Sequence, residues 1–193
     1  STVGPRGAAG ASGGGSPGMI LGVMSDTHGN LPLMFRAADL LRDRFGASVL
    51  AHLGDDWEDA EALAAAAPEV WAVPGLWCDA FRDWRIPNAR RETADGLIVA
   101  LAHDEGTLAR ESAGAHLLLS GHTHAARIAA DGGALRINPG HLRAPRDRGQ
   151  QASFAVVDIR PDRVVCTVCG LDGATLLRGG LPREALTGAK PRA

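Results

Sequence analysis

Gly22-Val23-Met24-Ser25-Asp26-Thr27-His28-Gly29-Asn30 closes an apolar run that begins at Met19 and stops abruptly at a carboxylate, an imidazole and a glycine. The run Met19–Met24 reads as a short strand buried on both faces. Asp26 and His28 fall just past its end. Residues two apart in an extended segment project to the same side, so the spacing predicts that both side chains point into the crevice beyond the carboxyl end of a strand. Open α/β sheets bind ligands there.

Working outward, residues 31–45 carry Leu33, Met34, Ala37, Leu40, Leu41 and Phe45 at helical spacing, with Gly46 as a stop. Residues 48–53 form the next strand candidate and run into Gly54-Asp55-Asp56. An alanine-rich helix is expected over 57–67, closed by Pro68, and a third strand over 69–73 meets Gly75-Leu76-Trp77-Cys78-Asp79. This alternation argues for βαβ units and a largely parallel sheet. The second half is richer in strands. Candidates at 90–93 and 97–102 flank a hairpin turn, Ala94-Asp95-Gly96, and end in His103-Asp104. A short helix over 106–112 precedes a strand at 116–120, which leads into Gly121-His122-Thr123-His124. Further strands are expected at 127–130, 134–138, 153–159 and 164–168, with an edge at 174–177. The simplest architecture is one α/β domain in which two sheets pack together between helices.

With 193 residues, 45% of them hydrophobic, the chain can bury a substantial core in one domain. A formal charge of −2 provides no global basic field for nucleic acid or an anionic membrane. No apolar stretch approaches the ~20 residues of a membrane span. Residues 1–18 are dominated by Gly, Ala, Ser and Pro without the hydrophobic centre of a signal peptide, and are expected to form a flexible tail. The folded unit is expected over 19–180, and 181–193, having no pattern, as a frayed tail. Three cysteines do not make a disulfide framework, so a cytoplasmic setting is expected.

Acids and histidines recur at the exits of successive strand candidates: Asp26 and His28, Asp55, His103, then His122 and His124. Core packing does not require this pattern. An oxygen and nitrogen donor set without thiolate suits Mn²⁺, Fe, Zn²⁺, Co²⁺ or Ni²⁺. One carboxylate can bridge two such cations about 3.5–4 Å apart, as in two-metal hydrolytic centres.

With these residues in order, the chain resembles the calcineurin-like metallophosphoesterases, and within them the small bacterial and archaeal phosphodiesterases. The resemblance rests on Asp26-Thr27-His28, Gly54-Asp55, His103 and Gly121-His122-Thr123-His124, with Asn138-Pro139-Gly140 as the closing turn, and spans residues 19 to about 159. It implies a four-layer α-β-β-α sandwich with two mixed sheets. It further implies that Asp26, His28, Asp55 and His124 hold one divalent ion, Mn²⁺ foremost. Asp55 would bridge to a second ion held by His103 and His122. The implied activity is hydrolysis of a small phosphodiester or phosphomonoester by a metal-activated hydroxide. A small phosphoester is then the expected partner; no membrane is implied, and nucleic acid is not indicated.

One departure weakens the second site. Where the family has a ligating asparagine after Gly75, this chain has Leu76, with Trp77 inserted before Cys78-Asp79. Neither side chain coordinates a cation, and Asp79 is the nearest substitute. The family's acid after that asparagine is replaced by Cys78, which favours substrates with good leaving groups. The resemblance also implies an alternative reading, a scaffold that binds a protein partner, because a eukaryotic trafficking subunit of this fold serves as one.

The remaining singular residues read as structural. His52 and His116 lie within or beside strands, and His141 reads as a loop histidine, with an approach to the site as the alternative. Cys166 and Cys169 project from opposite faces of one strand. Trp57, Trp77 and Trp84 read as core or interface packing, with a base-stacking wall as the alternative; Arg143, Arg146 and Arg148 read as solvated loop cations, with a grip on a phosphate or a nucleic acid backbone as the alternative.

Overall fold

A computed structural model describes residues 18–191 of the chain. The expected flexible tail therefore lies, but for Gly18, outside the described residues. The first half runs β1 (Met19–Met24), α1 (Leu31–Asp39), β2 (Val49–His52), α2 (Trp57–Ala66) and β3 (Val70–Ala72). Helix α1 is capped by Asn30, whose side chain accepts from Leu33 N at 3.2 Å, and widens into a π-type turn over Leu40–Arg44. There follow β4 (Ala89–Ala94), β5 (Leu97–Ala102), α3 (Glu105–Leu108), β6 (Leu117–Leu119), β7 (Arg127–Asp131) and β8 (Ala134–Asn138). The chain ends with a small hairpin, β9 (Arg146–Asp147) and β10 (Gln150–Gln151), and three long strands, β11 (Ser153–Ile159), β12 (Arg163–Gly170) and β13 (Thr175–Pro182).

Two mixed sheets result. One is ordered β13-β12-β11-β1-β2-β3, parallel through β1, β2 and β3 and antiparallel elsewhere; the other is β4-β5-β6-β8-β7, parallel only through β5, β6 and β8. Alternation along the strands decides the layers. Leu21, Val23, Ala51 and Val157 of the first sheet meet Val99, Leu101, Leu119 and Ile137 of the second in a shared core. The opposite face of the first sheet, including Met24, Leu50 and Phe154, is covered by Met34, Ala37 and Leu41 of α1 and its π turn and by Leu63 of α2. The outer face of the second sheet has a thinner cover. Ala100, Ala102 and Leu118 pack beneath Leu108 of α3 and Ala189 of the C-terminal segment. Cys166 belongs to the core between the sheets and Cys169 to the layer under α1, as their spacing predicts.

Residues 181–191 depart from the frayed tail expected over 181–193. Leu181 and Pro182 finish β13, Leu186 is buried between the sheets, and Gly114 N donates to Ala189 O while Ala189 N donates to Ala115 O. Its anchors come from separate neighbours rather than from one apolar face, so no periodicity marks the segment; of this segment, residues 192 and 193 lie outside the described residues. Among the described residues no helix is long and apolar enough to cross a membrane.

Candidate metal centre

The six residues singled out by the sequence lie on turns that leave β1, β2, β5 and β6 on one edge of the sandwich. They do not converge by extended geometry. Asp26 (φ 56°), His28 (φ 46°), His122 (φ 71°) and His124 (φ 62°) all adopt the left-handed backbone region, where non-glycine residues are rare. Four strained residues in two short turns mark a place where side-chain direction outweighs backbone comfort. This corrects the expectation that Asp26 and His28 meet because they sit two apart in an extended strand. Left-handed turns, built twice, bring them together with His124.

Donor atoms of Asp26, His28, Asp55 and His124 lie within 4.8 Å of one another. Asp55 Oδ2 is 2.5 Å from His28 Nε2, Asp26 Oδ1 is 3.1 Å from His124 Nε2, and the two Nε2 atoms are 3.3 Å apart. The second Asp55 oxygen, Oδ1, is 3.2 Å from His103 Nε2, which in turn lies 3.2 Å from His122 Nδ1. Asp55 thus stands between two groups of imidazoles, one on each carboxylate oxygen. Asp79 does not join them. It is exposed and lines a surface hollow with Trp57 and Arg85.

The donor set fits a cation. Asp26 Oδ1 and Asp55 Oδ2 are buried without a hydrogen-bond partner among the described residues. An unsatisfied buried acceptor costs about 1–3 kcal/mol, more if charged. Bonds of about 2.0–2.2 Å to a shared ion would bring such donors within roughly 4.4 Å of one another, close to the observed spread.

The surrounding contacts fix which atoms face inward. Ser25 Oγ (2.6 Å) and His122 N (2.9 Å) both donate to Asp26 Oδ2 and leave Oδ1 turned toward His124. His103 gives its Nδ1 proton to Leu53 O at 2.7 Å, and His124 gives its own to Asp147 Oδ2 at 2.5 Å, so in the neutral ring of each it is Nε2 that has the lone pair facing the centre. Burial alone would raise Asp26, but His124, His103 and Ser25 outweigh it and hold the carboxyl well below the usual range. For His124 the Asp26 carboxylate, the largest influence, raises the imidazole against its burial. Burial lowers His103, yet Asp55 and Asp26 leave it raised.

Glycines make the close approach possible. A Cβ on Gly121 would lie 2.6 Å from Asp26 Oδ2 and still nearer Ser25 Oγ; one on Gly75 would lie 2.6 Å from the Asp55 backbone. Asn138 locks the Gly-His-Thr-His turn from below, donating to Gly121 O at 3.0 Å and to Thr123 Oγ1 at 3.1 Å. His52 is structural, as expected. Its Nδ1 accepts from Gly54 N (3.3 Å), so the proton sits on Nε2, 3.1 Å from Thr27 Oγ1, which donates to Asp59 at 2.6 Å.

Three supporting residues escaped sequence reasoning or were misread by it. Asp59 accepts from Thr27 and from Gly29 N (2.8 Å) and so clamps the first turn, though it lies on α2. Asp147 orients His124. His141 does lie on the loop after β8, but it is fully buried, stacks on His124 with ring centroids 5.5 Å apart, and donates from Nε2 to Gln150 O at 3.0 Å. Trp77 and Trp84 are not core residues, being 82% and 91% exposed.

The calcineurin-like phosphoesterase superfamily domain matches this chain over residues 19–162. No curated protein matches at a significant level. Among solved structures, the Escherichia coli phosphoesterase Yfce shares 24% identity and a TM-score of 0.65, covering 83% of this chain and 98% of its own. A predicted phosphoesterase from Streptococcus pneumoniae shares 22% with a TM-score of 0.64, covering 86% and 98%. Vps29 from Entamoeba histolytica, solved in complex with zinc, shares 20% with a TM-score of 0.62, covering 86% and 99%. At these identities the likeness establishes the fold, including its two mixed sheets.

Proposed function

This chain belongs to the calcineurin-like phosphoesterase superfamily, and from that premise we propose that it is a metal-dependent phosphoesterase acting on a small phosphodiester. Asp26, His28, Asp55 and His124 would hold one divalent cation, and Asp55, His103 and His122 a second. The observation that carries this reading is Asp55, whose two oxygens face His28 and His103 separately. Bound cations would supply positive charge to phosphoryl oxygens and acidify a water.

The protein's own groups do the positioning. Ser25 and the His122 amide fix Asp26; Asp147 and Leu53 O fix the tautomers of His124 and His103. Among the described residues, Cys78 stands where the family places its acid, and its thiol is engaged elsewhere. Cys78 Sγ donates to Gly75 O at 3.1 Å. Turnover is therefore expected with leaving groups that depart as stable anions, such as aryl esters. Leu76 supplies no ligand to the second site, which favours weaker occupancy there; Mn²⁺ suits the oxygen and nitrogen set.

The test is hydrolysis of bis(p-nitrophenyl) phosphate with Mn²⁺. The intact protein turns it over, and Asp55→Asn lowers the rate at least 100-fold. A second reading, a partner-binding scaffold, is favoured by Leu76 and by the exposed Trp77. Absence of turnover with Mn²⁺, Zn²⁺, Co²⁺ or Ni²⁺ while one ion still binds would support it instead.

A further inference from the structure

The segment after β8 is tied to the candidate centre at successive points. Leu142 N donates to Asp26 O at 3.2 Å, Asn30 Nδ2 donates to Arg143 O at 2.8 Å, and His141 lies on the His124 ring. The β9–β10 hairpin that follows brings Asp147 onto His124, with an arginine on either side of it. Arg143 Nη1 is 3.7 Å from Asp147 Oδ1 and Arg148 Nε is 3.8 Å from Oδ2. Both separations exceed hydrogen-bond length, and the carboxylate is already committed to His124 at 2.5 Å. Among the described residues neither guanidinium donates a hydrogen bond. The two side chains are 47% and 61% exposed, so their donors face solvent beside the centre.

The turn itself selects against arginine. Arg148 (φ 48°) and Gly149 (φ 75°) form a two-residue hairpin connection in which both residues are left-handed. Asn, Asp and Gly are favoured there, and a longer side chain is strained. The turn nevertheless carries a guanidinium at this position, whose charge and forked donors match the oxygens of a phosphate.

We propose that Arg143 and Arg148 form an anion subsite for a second phosphate, so that the substrate is a small bisphosphorylated molecule. Its scissile ester would lie at Asp26 and Asp55 and its other phosphate on the arginine pair. This rests on the phosphoesterase reading. The subsite stands one carboxylate and one imidazole away from Asp26, a span that two phosphates joined through a sugar can cover.

Two matched probes test it. With Mn²⁺, kcat/KM for the p-nitrophenyl ester of thymidine 5′-phosphate is compared with that of the same ester bearing a 3′-phosphate. Binding of thymidine 3′,5′-bisphosphate and thymidine 5′-monophosphate is compared by calorimetry at fixed salt. The intact chain is expected to prefer the 3′-phosphorylated member at least tenfold in both. The double variant Arg143→Gln/Arg148→Gln brings the ratio to within twofold, whereas Arg163→Gln, which removes the same charge on β12, keeps it. Equal treatment of the two probes by the intact chain, or a preference that survives the double variant, overturns the proposal. So does an oligothymidylate that binds more tightly than the bisphosphate, which would assign the arginines to a nucleic acid backbone. A binding preference without turnover under any metal would remove the hydrolase reading and leave the anion subsite standing.

Discussion

His124 is fixed by opposite demands on its two ring nitrogens. Nδ1 must carry a proton to satisfy Asp147, and that leaves Nε2 with a lone pair facing Asp26 and His28. On the proposed function Asp147 is thus a positioning residue, and its loss would be felt at a bound ion. Asp147→Ala is expected to weaken Mn²⁺ binding 10–100-fold by titration calorimetry, with Asp147→Asn recovering part because an amide oxygen still accepts the proton. The residues that offer donors were legible in the sequence, since carboxylates and imidazoles at strand exits need no core explanation. Asp147 and His141 were not. Their roles depend on contacts with His124 across 23 and 17 positions of chain, and no local pattern records them.

At the scale of elements, the centre is a set of turns pressed together by parallel strands. The Gly75 turn after β3 approaches the Asp55 turn after β2 so closely that Gly75 N donates to Asp55 O at 3.2 Å. Gly75→Ala would place its methyl 2.6 Å from the Asp55 backbone, which has no rotamer to yield. That substitution is expected to destabilise the fold by about 1–3 kcal/mol in urea unfolding and to weaken Mn²⁺ binding by displacing Asp55. Helices α1 and α2 and strands β1 to β3 were readable because their apolar residues recur at helical or alternating spacing. The β9–β10 hairpin was not, since two-residue strands of arginine, aspartate and glutamine carry no period. The end of β13, beyond the edge expected at 174–177, was hidden similarly: glycine and proline at Gly179, Gly180 and Pro182 carry no strand pattern, yet an edge strand tolerates them.

Across the whole molecule, a buried neutral imidazole links folding to pH. Burial pushes His52 down to about 4, against roughly 6.5 when unfolded. Between those values the unfolded chain takes up a proton that the folded chain does not, so this contribution to stability is full above pH 6.5 and is lost as pH falls toward 4. His52→Gln is therefore expected to lose less stability than the intact chain on going from pH 7 to pH 5, by about 2 kcal/mol in metal-free urea unfolding. His103 and His124, shifted upward, act in the opposite sense but are present in both proteins and cancel in the difference. The same burial shows how far the sequence reached. By itself it determined the order of elements, the strand exits that carry the donors, and the family, because periodicity and motif order are properties of neighbouring residues. Only the tertiary structure decided that the turns carrying the candidate donors are left-handed, that Asp59, Asp147 and His141 support them, and that two arginines flank the centre. Those facts depend on which distant segments the two sheets bring into contact, and side-chain direction there is set by packing across the chain.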